Sequence, residues 1–197
     1  MGQVMIMILT SKKALEMLEE SRGKTRHDGW INHSLCVGYA AGKIAKALNL
    51  DEEKARVLGY IHDIGKRIRF EGHVLEGYNY LKDLGYNEEY CNVCLTHSYL
   101  NNDVNCTQGE PDDIPFRTNF IKNHKYTIYD KIINLCDLMC MNKVVTLEKR
   151  LIDVISRRPQ HKNITYHVKE ALKLKAYFDK LLGYNLYDLF PEIKENL

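Results

Sequence analysis

The adjacent pair His62-Asp63, followed at once by Ile64-Gly65-Lys66, offers a ring nitrogen, a carboxylate and an ammonium within five residues. The pair falls at the predicted last turn of an apolar helix ended by Gly65, where the negative end of the helix dipole favours a bound cation. Neighbouring residues on a helix point about 100° apart. The two side chains therefore engage one ion from two sides, or Asp63 bridges two ions while His62 holds one. Four further potential ligands, His33, His73, His97 and Asp137, lie on separate predicted helices. Nitrogen and carboxylate donors with no obligatory thiolate suit Fe, Mn, Zn or Ni and do not suit a closed structural zinc site.

Each residue also has a plainer reading. Asp137 stands in a strongly apolar stretch, where an unpaired buried carboxylate costs several kcal/mol; facing solvent or pairing with Lys131 or Lys143 would remove that cost. Lys66 either satisfies the last carbonyls of its helix or sits about a turn from a metal, where it would bind a phosphate oxygen or stabilise developing charge. Arg67 and Arg69 add positive charge to the same loop without an assigned role. Cys91-x-x-Cys94, with His97 three residues on, imitates half a zinc knuckle, but it lies inside a predicted helix and no second CxxC follows.

The elements that must position these residues read as helices throughout. Only four prolines occur in 197 residues, and apolar residues recur at helical spacing. Thr10 or Ser11 caps a first helix that ends near Gly23. A second runs over about 30–48 with His33 in its first turn, and its small residues Gly38, Ala41 and Gly42 admit a close neighbour. Asp51 caps a third, which delivers His62 and Asp63. Helices follow over about 73–84, stopped by Gly85, and 88–97, capped by Asn87. Residues 98–125 are the least regular stretch and the candidate lid. Further helices are expected over 127–141, with Asp137 in the middle, over 146–157, and over 164–182, closed by Gly183, with a last short segment around Pro191.

Composition bounds the rest. The chain is 45% apolar and 27% charged with a formal charge of +2, which suits one globular all-α domain over 1–197 and argues against a nucleic-acid polyelectrolyte. The six cysteines lie mostly among apolar neighbours and read as reduced, buried thiols. The apolar run 4–9 is far shorter than the roughly 20 residues of a membrane span. It also lacks the basic start and cleavage site of a secretory leader. The expectation is a cytoplasmic protein with no membrane partner; the oligomeric state is left open.

The succession His33, His62-Asp63, His73, His97, Asp137, with Ile64-Gly65-Lys66 after the dyad, resembles the HD superfamily of metal-dependent phosphohydrolases over about residues 27–145. The resemblance implies a helical bundle with the metal site between central helices. It also implies one ion held by His33, His62, Asp63 and Asp137. Having both His73 and His97 is similar to the two-metal branch, in which Asp63 bridges and these two histidines help hold a second ion of Fe, Mn, Zn, Ni or Mg. Bacterial symmetrical dinucleoside tetraphosphate hydrolases are similar in this spacing. The cyclic-dinucleotide branch is less so, because Gly77-Tyr78 is followed by Asn79 and not proline. The implied activity is hydrolysis of a phosphate ester or anhydride of a small, nucleotide-like substrate by an activated water. Asp63 would orient the nucleophile and take a proton, and Lys66 would stabilise charge. The alternatives are a di-iron oxygenase with the same ligands and a non-catalytic nucleotide- or phosphate-binding module.

Overall fold

Local capping chemistry sets most of the helix starts. The side chains of Thr10, Asp51, Asn87 and Thr146 accept backbone N–H bonds from the first turns of the helices they precede, and Thr127 forms a reciprocal capping box with Asp130. In the computed structural model, which describes residues 7–107 and 115–196, these starts open α1 (Ser11–Glu19), α3 (Glu52–Ile61), α5 (Glu88–Thr96), α8 (Leu147–Arg157) and α7 (Ile128–Asp137). The remaining helices are α2 (Gly29–Ala47), α4 (His73–Asp83), α6 (Phe116–Asn123) and α9 (Ile164–Leu182). Among the described residues there is no strand, only two isolated bridges, Met7 with Tyr86 and Cys140 with Val144. The chain is all-α.

The buried stripe of α2, including Val37, Ala41 and Ile44, forms the middle of the core. Helix α3 crosses it in backbone contact, since a Cβ added to Gly59 would lie 2.5 Å from the Gly38 Cα. Small residues at that crossing fix how deeply α3 sits, and hence where His62 and Asp63 emerge. Helix α1 packs on α3, α4 pairs with α5, and α7, whose Ile132, Ile133 and Cys136 are buried, lies against α2 and α3. Helices α8 and α9 pack together, and α9 also touches α7.

Three sequence expectations need correction. Helix α3 ends at Ile61 and not at Gly65; His62 is its C-cap, and residues 64–67 form a 3₁₀ turn. Gly65 is needed there for a close approach. A Cβ would stand 1.8 Å from the His73 carbonyl oxygen, so the first turn of α4 lies directly on it and sets His73 beside the dyad. Helix α7 ends at Asp137, placing that residue at a terminus and not mid-helix. Beyond it Met139, Cys140 and Val145 are buried in a tight reversal, with Val145 N–H donating to the Met139 carbonyl. Apolar periodicity does not distinguish such a turn from another turn of helix. The stretch 98–125 also contains α6, whose N-cap is Pro115; proline suits a helix start because the missing N–H is not needed there. Part of the candidate lid, 108–114, and the first half of the opening apolar run, 4–6, lie outside the described residues.

Candidate metal centre

Six side chains from five helices and one turn meet at Asp63. His62 and His97 are the C-caps of α3 and α5, and Asp137 is the last residue of α7. Three negative helix ends therefore converge on one place, each favouring a cation by about 0.3–1 kcal/mol. His33 comes from the start of α2 and His73 from the first position of α4.

The two carboxylate oxygens of Asp63 face different partners. Oδ2 lies 3.5 Å from His62 Nε2 and 4.0 Å from His33 Nε2, and it also meets the Lys66 ammonium. Oδ1 lies 3.0 Å from His73 Nε2 and 3.5 Å from His97 Nε2. Asp137 joins the first group, with Oδ1 2.9 Å from His33 Nε2 and 3.9 Å from His62 Nε2. Its partner is His33, not Lys131 or Lys143. Two groups able to hold an ion result, His33–His62–Asp63 and Asp63–His73–His97, and they share Asp63.

Hydrogen bonding fixes three of the imidazoles. The Nδ1 atoms of His62, His73 and His97 lie 2.7, 2.8 and 2.9 Å from the carbonyl oxygens of Gly59, Phe70 and Cys94. A ring N–H donates in each, so Nε2 of the neutral ring carries a lone pair. Those lone pairs point at carboxylate oxygens, and His62 Nε2 is also only 3.3 Å from His33 Nε2. Acceptors gathered this closely need a cation among them. Donors bound at 2.0–2.2 Å to one ion lie roughly 3–4 Å apart, matching the separations here. The residues fit a divalent metal.

A match to the HD-domain family model covers residues 30–142, more than half of the chain. The chain belongs to the HD-domain family. Ribonuclease Y of Thermosipho melanesiensis is 37% identical over 70 residues, which is 34% of this chain and 14% of that protein. Ribonuclease Y of Thermotoga maritima is 39% identical over 70 residues with the same coverage. That of Protochlamydia amoebophila is 35% identical over 72 residues, 35% of this chain and 14% of the relative. The chain thus spans about one seventh of the length of these curated relatives. No solved structure matches. HD domains bind divalent metals, in agreement with the donor cluster. No helix of the described residues is long and apolar enough to cross a membrane.

The electrostatics of this HD domain suit metal binding. Burial lowers the pKa of His62, and it lowers that of His97 to about 3, against the opposing pull of Asp63. Burial raises the Asp63 carboxyl, but Lys66, His62 and His73 outweigh it and hold it well below the usual range. Burial likewise raises Asp137, and His33 outweighs it. Neutral imidazoles and ionised carboxylates are the forms that ligate metals. The rival zinc motif is used otherwise: Cys91 Sγ donates to the Tyr86 carbonyl and Cys94 Sγ to the Ile61 carbonyl. Burial pushes the Cys91 thiol up to about 11. All six cysteines are free and buried.

These shifts predict the acid response of the chelator-treated protein. The folded pKa values of His62 and His97 are depressed, so below about the ordinary 6.5 the unfolded chain binds more protons. Their contribution to stability is complete above 6.5 and is lost as the pH falls below it, for His97 toward 3. Asp63 and Asp137 are depressed too, and add a further loss only below the ordinary 3.8. The urea midpoint is expected to fall between pH 7 and 5 and to fall faster below 4. A midpoint flat from pH 7 to 5 would contradict neutral buried imidazoles.

The site extends beyond the six predicted ligands. Asn134 on α7 donates to the carbonyls of Thr96 and His97 at 2.9 and 2.6 Å, and Thr96 donates to Asp130 at 2.8 Å. This buried network fixes the end of α5, and with it His97. The Asp63 cluster opens into a cavity of about 700 Å³, also lined by Lys66, Arg117, Arg150, Arg157 and Arg158. Arg67 and Arg69 face elsewhere, toward Tyr80 and Glu76. Sequence reasoning missed Asn134 and the four arginines. Arg150 and Arg157 did carry a signal, because seven residues is close to two helical turns and places them on one face of α8.

Proposed function

We propose that this HD domain is a metal-dependent phosphohydrolase acting on a phosphate ester or anhydride of a nucleotide-like substrate. The observation that carries the reading is the division of Asp63, one oxygen toward His33 and His62 and the other toward His73 and His97. His33, His62, Asp63 and Asp137 would hold one divalent ion, and Asp63, His73 and His97 a second. Such ions acidify water and neutralise charge on phosphoryl oxygens when bound.

The chain's own groups do the rest. Asp63, buried and held ionised, would orient the attacking water. Lys66 lines the cavity while paired with Asp63, so its ammonium is placed to donate to a non-bridging phosphoryl oxygen. The two other histidines of the second group, His73 and His97, are fixed by their backbone carbonyl partners and keep Nε2 turned inward. We take residues 1–197 as one HD-type domain, with α1 and the helices after α7 packed on the motif-bearing core.

The names of the relatives favour a second reading, hydrolysis of RNA phosphodiesters. One experiment separates the possibilities: elemental analysis of protein purified without chelator, beside phosphate and oligonucleotide release from mono-, di- and triphosphates and a short RNA. One or two divalent ions per chain are expected, with turnover of a small phosphate substrate that stops with chelator and returns with Mn²⁺. Turnover of the RNA alone would replace the small-substrate reading. Full turnover with redox-inactive metal would exclude the oxygenase, and tight nucleotide binding without product would leave the binding module.

A further inference from the structure

The cavity that receives the Asp63 cluster gathers cationic side chains, three of them on or capping a helix that carries no family motif. Among the described residues, Lys66, Arg117, Arg150, Arg157 and Arg158 line it, with the carboxylates Asp63 and Asp137. Three of these arginines belong to α8 or its C-cap, beyond the residues 30–142 matched by the HD-domain model. A helix C-terminus favours nearby cations by about 0.3–1 kcal/mol, which accounts for basic residues in its last turn but not for their gathering. Arg150 Nη1 and Arg157 Nη2 both reach Asp153, each at 2.7 Å. Arg150 Nε is buried with no hydrogen-bond partner among the described residues. Partial burial, then the charges of Arg157 and Arg150, depress the Arg158 guanidinium. Asp153 holds Arg150 and Arg157 side by side at the cavity wall.

Guanidinium groups bind phosphate oxygens in pairs, and several of them call for several oxyanions. A cavity of about 700 Å³ lies in the size range of small-ligand sites. We infer that Arg150, Arg157 and Arg158 form a second anion subsite in the catalytic cavity, which takes the phosphate chain of a small polyphosphorylated substrate whose scissile phosphoryl group lies at the Asp63 cluster. This assignment rests on the phosphohydrolase reading for the second half of that sentence only; the anion subsite itself does not require turnover.

Calorimetric titration of the full chain, purified without chelator, with inorganic tripolyphosphate and with orthophosphate tests it. Wild type is expected to bind tripolyphosphate at least about tenfold more tightly than orthophosphate, since each good charge-assisted contact adds on that order. R157Q/R158Q is expected to lose about tenfold for tripolyphosphate and less than twofold for orthophosphate, with an unchanged melting temperature. R157Q alone, at an exposed position, keeps the test valid if the double variant fails to fold. K173Q, at an exposed lysine paired with Glu170, is expected to change neither. A loss under twofold in the arginine variants, the same loss in K173Q, or no preference for tripolyphosphate would overturn the subsite. Tighter binding of a ten-nucleotide RNA through the same arginines would overturn the small-substrate assignment. Tripolyphosphate binding as expected, without turnover of any phosphate substrate, would uphold the subsite and sink the hydrolase.

Discussion

Asp63→Asn is expected to leave a folded chain that binds almost no divalent metal and turns over substrate at least about a thousandfold more slowly. Loss of an outer partner of a metal ligand already costs roughly 10- to 100-fold in affinity or activity, and Asp63 is shared by both ion-holding groups. The amide keeps the size of the carboxylate but removes the charge that both groups rely on. It also presents an N–H donor to imidazole lone pairs that now face acceptors. Lys66, partly exposed, loses its partner and turns to solvent. Chelator-treated variant and wild type should therefore melt within about 3 °C of each other, a change of around 1 kcal/mol for a chain of this size. The difference shows when metal is added. Wild type at a hundred times its dissociation constant gains about 2.7 kcal/mol, and the variant gains none. Equal metal-induced stabilisation in the two proteins would remove Asp63 from the centre.

Much of this architecture was legible because its determinants are local. Thr10, Asp51 and Asn87 announce helix starts through a side-chain oxygen and the N–H groups two or three residues later, a relation that needs no tertiary context. The candidate ligands were legible by type, since a histidine beside an aspartate at a helix end has few other uses. The division of Asp63 was not legible. It depends on Gly65 letting α4 close over the dyad, and on Gly59 setting the depth of α3 against Gly38, both contacts between distant segments. The end of α7 failed for a related reason. Residues 138–140 are apolar because they are buried, and burial in a reversal writes the same residues as burial in a helix. The arginines of α8 resemble any basic surface until the fold brings that helix to the cavity.

The two-ion arrangement has its own signature, and His97→Ala carries it. His97 is buried and contacts Asp63 Oδ1, and its ring also meets that of His62 edge to face, with centroids 5.0 Å apart. Its removal strips the Asp63–His73–His97 set to two donors while His33, His62, Asp63 and Asp137 keep all four. Elemental analysis should therefore fall from two ions per chain to one, and turnover by at least about a hundredfold if both ions neutralise the transferring phosphoryl group. Truncating a buried imidazole also leaves a void costing on the order of 2–4 kcal/mol, so His97→Gln, which refills much of it, separates ligand loss from unfolding. His33→Ala should have the opposite pattern, emptying the other group, whose carboxylate Asp137 then lacks its 2.9 Å partner. Cys91→Ser should change nothing, because that sulfur faces the Tyr86 carbonyl and not the centre. Two ions retained in His97→Ala would mean that Asp63 does not bridge, and the facing of its Oδ1 toward His73 and His97 would be a hydrogen-bonding arrangement around a single-metal site.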